Sequence, residues 1–150
     1  MTKEDKNLLI QDLSARLPYK TKIQLTEYSD LTGEKLPSKI KTLDYCMLGK
    51  AQAYCKGFRK DEIKPYLFPL SSITDKQAKE IQEIVGNPDN ACIIRKTDGL
   101  ELWLGSIDTD PTIWVDTIFE VQDYLNKNHF DYRGLIEKGL AIDATGLNIY

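Results

Sequence analysis

The chain contains one histidine, His129, which lies in a run of carboxylate, guanidinium and aromatic side chains at residues 126–134. A histidine titrates near neutral pH and can act as a general base when a carboxylate fixes its tautomer. Asp131 lies two residues further on and could orient the ring. His129 and Asp131 are therefore the candidate catalytic residues of a small enzyme. No serine or cysteine in a nucleophile elbow and no HExxH pair completes such a site.

The same run has a second interpretation, as a structural corner or as an anchor for a protein partner. Tyrosine and arginine are typical of binding hot spots, so Tyr132 and Arg133 are candidate binding residues. An intramolecular contact between Arg133 and the acidic C-terminal part would explain the sequence equally well. His129 could likewise lie at a helix end, where it bonds backbone carbonyls and packs between Phe130 and Tyr132. We assign no catalytic residue.

Two aspartates further upstream have the spacing of a small metal site. Asp108 and Asp110 could share a divalent cation, with Asp116 beyond them. They lack the regular ligand spacing of a calcium loop, and such pairs are common in solvated loops. They are the candidate metal ligands, but we predict no metal. We also predict no cofactor, because the sequence has neither a GxGxxG nor a GxxxxGK[ST] phosphate loop.

The cysteines and the N-terminal sequence indicate a soluble, cytoplasmic protein. Cys46, Cys55 and Cys92 are odd in number and share no CxxC spacing, so we predict reduced, packed thiols. A zinc site formed by these thiols and His129 lacks a short ligand spacing. The first residues have no signal-peptide core, and no apolar run reaches the ~20 residues that a membrane helix needs.

Charge is distributed unevenly along the chain, which has a net charge of −3. Residues 39–66 hold seven Lys/Arg and three Asp/Glu, a net +4, whereas residues 98–150 hold three and ten, a net −7. Aromatic residues beside a basic stretch can bind single-stranded nucleic acid, which makes Tyr66 and Trp103 candidate binding residues. An acidic protein with one basic stretch is a poor general nucleic-acid binder, so this stays an alternative hypothesis.

Periodicity predicts helices around a β-rich middle. Residues 3–17 have a helical apolar stripe and a Thr2/Asp5 capping pair, and a central helix begins at a capping box, Thr74 to Gln77, and stops at Gly86. Period-two patterns predict strands in residues 20–68, of the kind found in small SH3-like barrels. The predicted strands are residues 21–25, 39–48 and 51–58. Residues 61–70 are the predicted edge segment.

The remaining third predicts a β-hairpin and C-terminal helices. An Asp98-Gly99 turn in residues 91–104 would place Lys96 opposite Glu101 and Ile94 opposite Trp103. We also predict a strand at residues 112–115, a helix from Thr117, and a further turn capped by Asp131, running through Ile136 and ending at Gly139. The whole chain, residues 1–150, is predicted to be a single α+β domain.

Four segments resemble one family of small uncharacterised proteins of gut bacterial genomes, often encoded in prophages or other mobile elements. These segments are residues 1–6, 15–19, 64–72 (Lys-Pro-Tyr-Leu-Phe-Pro-Leu-Ser-Ser) and 129–136 (His-Phe-Asp-Tyr-Arg-Gly-Leu-Ile). The family carries no assigned activity, so the resemblance implies a cytosolic accessory protein that acts by binding. Our leading hypothesis is a non-enzymatic interaction module with another protein as partner, and no membrane. The small enzyme and the nucleic-acid binder remain alternatives.

Overall fold

The computed structural model describes residues 1–86 and 118–150 in full, and the backbone alone of residues 91–96, 99–104 and 111–117. Helices and strands are mixed along the chain, which confirms the predicted α+β class. The structure divides into two compact units. Unit 1 comprises Met1–Phe68 and Arg133–Tyr150, and unit 2 comprises Pro69–Tyr132. The single domain of residues 1–150 stays a prediction.

Unit 1 packs two helices and a sheet around one apolar core. Its elements are α1 (Lys3–Arg16), a 3₁₀ turn (Leu17–Tyr19), β1 (Lys22–Thr26), β2 (Lys39–Thr42), α2 (Tyr45–Cys55), β3 (Glu62–Pro69) and β7 (Ile142–Asp143). Strand β1 pairs antiparallel with both β2 and β3, and β7 pairs parallel with β3. Helices α1 and α2, strands β1 and β3 and the connecting segments supply the buried side chains of the core, namely Leu9, Leu13, Ile23, Leu25, Leu43, Ala51, Ile63, Leu67, Leu135, Leu140 and Ala141.

Helix α1 begins at the predicted cap. The Thr2 hydroxyl accepts a hydrogen bond from the Asp5 backbone N–H, and the Asp5 carboxylate accepts one from the Thr2 N–H. This reciprocal pair satisfies two backbone donors that a helix start otherwise leaves open. The helix passes into the 3₁₀ turn at Leu17, where Pro18 is compatible with the turn but not with continued α-helix.

Helix α2 contradicts the strands predicted at residues 39–48 and 51–58. Only Lys39–Thr42 is extended, and Asp44 then caps a helix by accepting a hydrogen bond from the Met47 N–H at 2.7 Å. The side chains that α2 directs toward the core recur at helical spacing, namely Met47, Leu48, Ala51 and Cys55. Residues 20–68 therefore form an open sheet with the strand order β2-β1-β3, and helix α2 connects β2 to β3 in the chain. This is not an SH3-like barrel.

Strand β3 also differs from the prediction, which treated residues 61–70 as an edge segment because of their two prolines. The strand pairs on both sides, with β1 and with β7. Pro65 is the last position of the β1 ladder, opposite Ile23, and pairing with β7 begins at the next residue, Tyr66. Pro65 therefore lies at the boundary between the β1 ladder and the β7 ladder. At this position a paired strand tolerates the missing N–H of the proline.

In unit 2, helix α3 (Asp75–Val85) has the predicted boundaries. Thr74 and Gln77 form the capping box, Ile73 and Ile81 are buried, and Gly86 ends the helix with a left-handed φ of 80°. Unit 2 also contains a 3₁₀ turn (Leu70–Ser72), β4 (Ala91–Lys96), β5 (Gly99–Leu104), α4 (Pro111–Lys127) and β6 (Phe130–Asp131).

Strands β4 and β5 form the predicted hairpin with a register shifted by two residues. Lys96 pairs with Gly99 and Ile94 pairs with Glu101, where the prediction paired Lys96 with Glu101. Gly99 is therefore the first residue of β5 and not part of the predicted Asp98-Gly99 turn. Side chains alternate with a period of two, so a shift of two preserves the same alternation of apolar and polar residues. The sequence pattern could not distinguish the two registers.

Helix α4 replaces the strand predicted at residues 112–115 and begins six residues before Thr117. Pro111 is its first residue, a position that suits proline because the missing N–H has no helical partner there. After α4, the helical turn predicted to be capped by Asp131 is also absent. Asp131 lies in β6, and residues 135–139 form hydrogen-bonded turns rather than a helix. Gly139 does end this segment as predicted, with a left-handed φ of 67°.

Candidate functional site

His129 forms the end of helix α4. Its φ is 60°, in the left-handed region, and its N–H donates to the Asn126 carbonyl at 3.1 Å. This is the hydrogen bond that the residue after a helix C-cap makes in a Schellman motif. The next residue, Phe130, is only 2% exposed. Neither His129 nor Asp131 lines any of four surface cavities that described residues form.

Arg133 takes part in a buried network of charges in unit 1. Its Nε lies 3.5 Å from Asp12 Oδ1, and the other carboxylate oxygen of Asp12 accepts a 2.7 Å bond from Arg16 Nε. Asp12 and Arg16 are fully buried in α1, whereas Arg133 is 24% exposed. Asp12, a carboxylate of the first helix, is thus a partner of Arg133, whereas the sequence had suggested the acidic C-terminal part. An arginine held in this way is poorly placed to anchor a partner.

The other predicted binding residues are either buried or outside the described side chains. Tyr66 is a core residue of β3, which contradicts its assignment to an exposed aromatic surface. Tyr132 is half-buried, and its hydroxyl is inaccessible to solvent. The side chain of Trp103 and the candidate metal ligands Asp108 and Asp110 lie outside the described residues. Among the residues that are described, no group of three His, Cys, Asp or Glu side chains could hold a metal ion.

The hydroxyl of Tyr150 bridges strands β1 and β3 beside Tyr66. It donates to the Tyr66 carbonyl at 2.7 Å and accepts from the Lys22 N–H at 3.0 Å, and its ring lies against Phe68. Burial raises the pKa of Tyr150 to about 12, although the Lys22 N–H and the Arg16 charge act in the opposite direction. Tyr66 is therefore engaged within unit 1, and Tyr150, although 43% exposed, contributes its hydroxyl to the same contacts.

More than half of the cations in the basic stretch at residues 39–66 form internal ion pairs. Four of its seven cations are paired: Lys39 and Lys50 with Glu27, Arg59 with Asp61, and Lys64 with Glu62. Hydrogen bonds from Lys50 and Lys39 lower the pKa of Glu27, so its carboxylate stays ionised near neutral pH. Four of the seven cations that suggested nucleic-acid binding are consequently engaged in ion pairs within unit 1.

A different surface has the properties of a recognition site. Residues 28–30 and Gly33 face residues 57–61 across a cleft of about 330 Å³. We call the two segments that contain them, residues 28–33 and 57–61, the loop surface. The first segment connects β1 toward β2, and the second connects α2 to β3. Each carries a large apolar side chain in water. Leu31 is 98% exposed and Phe58 is 80% exposed.

The first segment of the loop surface is a tight, hydrogen-bonded turn. The Ser29 N–H donates to the Glu34 carbonyl and the Gly33 N–H donates to the Ser29 carbonyl, both at 2.8 Å. The Ser29 hydroxyl accepts from the Thr32 N–H. Gly33 adopts a φ of 70°, which a glycine reaches without steric cost. These bonds fix the backbone on both sides of Leu31, so its exposure does not arise from a long unstructured loop.

The second segment is the Schellman motif that ends α2. The Phe58 N–H donates to the Ala53 carbonyl and the Gly57 N–H donates to the Tyr54 carbonyl, both at 2.9 Å. In this motif an apolar residue at the position of Phe58 normally packs back on the last turn of the helix. The facing residues here, Gln52 and Ala53, offer no large apolar partner. Phe58 therefore remains in solvent on a fixed backbone.

Sequence reasoning missed the loop surface because it placed a strand over residues 51–58. The signal that could have found it is the Gly57-Phe58 pair between two basic residues, immediately after a helix. No family model, no curated protein and no solved structure matches this chain. In the parts of the chain that the structure describes, no helix combines the length and hydropathy of a membrane span.

Proposed function

We propose that this protein is a non-enzymatic binding module that recognises another protein through the loop surface. The observation that carries the proposal is the exposure of Leu31 and Phe58 on two adjacent segments with fixed backbones. Large apolar side chains in a packed pocket of the partner supply most of the binding energy in many interfaces. A backbone that is already ordered also loses little conformational entropy when it binds.

The charges of the loop surface favour a protein partner over a polyanion. Arg59 and Lys60 are balanced by Asp30 and Asp61, and the Arg59 Nε lies 3.0 Å from the Asp61 carboxylate. A polyanion would need an excess of cations, and its affinity would fall steeply with salt. A partner that covers two apolar anchors should instead bind with an affinity that depends weakly on salt concentration.

A photo-crosslinking experiment in host cells tests the proposal. The crosslinking residue p-benzoylphenylalanine is placed at position 58 and, as a matched control, at position 45, because Tyr45 is 82% exposed at the other end of the same helix. We expect one crosslinked protein at position 58 and none at position 45, with Leu31→Ser reducing the yield. Equal crosslinking at both positions, or none at position 58, would contradict the proposal.

On the resemblance described above, we propose that the module is a cytosolic accessory protein of a mobile element. This context is carried by the four matching segments alone. It is tested by the identity of the crosslinked partner, which should be either a host factor or a product of the same element.

A further inference from the structure

A second surface of unit 1 concentrates positive charge in a groove between α1 and α2, which we call the lysine groove. It has a volume of about 400 Å³ and is lined by Lys3, Lys6, Asn7, Ile10, Gln11, Gln52, Cys55 and Lys56. The lining contains three ammonium groups and three carboxamides but no carboxylate. The residues of α1 recur at helical spacing and form one face of that helix, opposite the last turn of α2.

The three lysines of the groove differ from the paired lysines elsewhere in unit 1. Lys3, Lys6 and Lys56 form no ion pair with any residue that the structure describes, whereas Lys39 and Lys50 share the carboxylate of Glu27. Of the acidic residues in the first turn of α1, Asp5 binds the Thr2 backbone, and neither Asp5 nor Glu4 lines the groove. No carboxylate among the groove's lining residues therefore balances the three ammonium groups.

Helix electrostatics favour only one of the three lysines. Lys56 lies at the C-terminal end of α2, where the helix dipole favours a cation. Lys3 is the first residue of α1, where the dipole disfavours a cation, and Lys6 is half-buried beside the Cys55 thiol. A bound anion would reverse the cost of both placements.

We propose that the lysine groove binds a small organic phosphate, with the phosphate oxygens accepting hydrogen bonds from the three ammonium groups. The carboxamides of Asn7, Gln11 and Gln52 then bond the hydroxyl or ring atoms of the ligand, and Ile10 lies against its apolar part. A small ligand fits better than a nucleic acid because the groove holds only about 400 Å³, and the cations at positions 39, 50, 59 and 64 are paired internally. This inference is independent of the loop surface and of a protein partner.

Calorimetric titration of the full chain with inorganic pyrophosphate at low salt tests the site. We expect saturable binding that the double substitution Lys3→Gln/Lys6→Gln weakens at least tenfold. The matched control is Lys41→Gln/Lys79→Gln, which removes two exposed lysines outside the groove and should change the affinity less than twofold. Absence of binding, or equal weakening by both double variants, overturns the proposal. So does tight binding of a single-stranded oligonucleotide without binding of pyrophosphate.

The thiols of unit 1 give a second readout that locates the ligand. Cys55 lines the groove, whereas Cys46 is an exposed thiol near the start of the same helix. Pyrophosphate should slow alkylation of Cys55 by iodoacetamide severalfold and leave the rate at Cys46 unchanged. Protection of neither thiol, or equal protection of both, would overturn the assignment of binding to this groove.

Discussion

Helices α2 and α4 end with the same local structure and use it in opposite ways. In each, a residue with left-handed backbone, Gly57 or His129, donates its N–H to a carbonyl three residues back and is followed by a phenylalanine. Phe130 is 2% exposed, whereas Phe58 is 80% exposed. The segment with the richer set of reactive side chains is the one that is buried. The plainer Lys-Gly-Phe-Arg-Lys run presents an apolar side chain to solvent.

This difference shows that residue types alone do not identify a site. At residues 126–134 the aromatic and charged groups have internal uses, because Phe130 is buried and Arg133 contacts Asp12. On the loop surface, the side chains of Leu31 and Phe58 are exposed to solvent, so they add little buried contact that would stabilise the fold. Exposed apolar side chains that lie close together are typical of interaction sites, and the proposed binding role rests on that generalisation. The comparison can be tested at three pairs of positions and at Tyr150.

The two phenylalanines give the largest expected contrast. Phe130→Ala removes a fully buried ring and should lower the free energy of unfolding by about 3–5 kcal/mol. Phe58→Ala removes an exposed ring and should change it by no more than about 0.5 kcal/mol. Urea unfolding of both variants measures the difference. Similar losses at the two positions would show that Phe58 packs in solution and would remove the basis of the comparison.

The second contrast compares two ion pairs. Asp12→Ala leaves the buried Arg16 guanidinium without its carboxylate and should lower the free energy of unfolding by about 3 kcal/mol. This value is at the low end for a buried pair because Arg133, the second partner of Asp12, is partly accessible to water. Asp61→Ala breaks a pair whose Arg59 is half exposed, so less than about 1 kcal/mol is expected. Thermal unfolding of both variants provides the measurement. A loss below ~1 kcal/mol at Asp12 would argue against a structural role for Arg133.

The third prediction concerns Tyr150, which covers the candidate residue Tyr66. Tyr150→Phe keeps the ring against Phe68 but removes two hydrogen bonds, so a loss of about 1–2 kcal/mol is expected. Since the pKa of Tyr150 is raised to about 12, the folded state holds the proton more tightly than the unfolded state. The contribution is therefore complete below pH 10 and is lost as the pH rises from about 10 to about 12.

Stability measured against pH in wild type and Tyr150→Phe checks this prediction. The alkaline decrease attributable to Tyr150 should be missing from the variant. An identical decrease in both proteins would show that the hydroxyl is not protected in the folded state.

The smallest expected effects come from two glycines of the same helix. Gly57 has a φ of 81°, so Gly57→Ala should cost about 1 kcal/mol. Gly49 lies inside α2 with open space around its Cα, so Gly49→Ala should stabilise by about 0.5–1 kcal/mol. Chemical denaturation of both variants reads out the opposite signs. The same sign at both positions would contradict the motif that holds Phe58 in place.

The parts of the fold that the sequence predicted are those with reciprocal local signals. Helices α1 and α3 have capping boxes at Thr2 and Thr74, and both were located correctly. Helix α2 was missed because its cap, Asp44, has Met47 instead of Glu or Gln three residues later, so only one half of the signal is present. Helix α4 was placed too late because residues 113–115 are strand formers, and Pro111 was not taken as a helix start.

The loop surface could not be predicted because exposure depends on which residues face each other in the folded chain. Phe58 is exposed because the last turn of α2 presents Ala53 rather than a large apolar residue, and this requires the helix to be known first. The internal use of Arg133 is equally non-local, since its partner Asp12 is far away in sequence. Capping boxes, in contrast, span four residues and can be recognised locally.

The most direct test of the central claim is the affinity of the crosslinked partner for a chain that lacks both apolar anchors. Leu31→Ser/Phe58→Ser should fold with unchanged stability and bind the purified partner ~30-fold more weakly or worse, because each anchor should contribute more than about 1 kcal/mol. Tyr45→Ser, which removes an equally exposed ring, should bind within about twofold of wild type. Wild-type affinity in the double variant would contradict the proposed role of the loop surface.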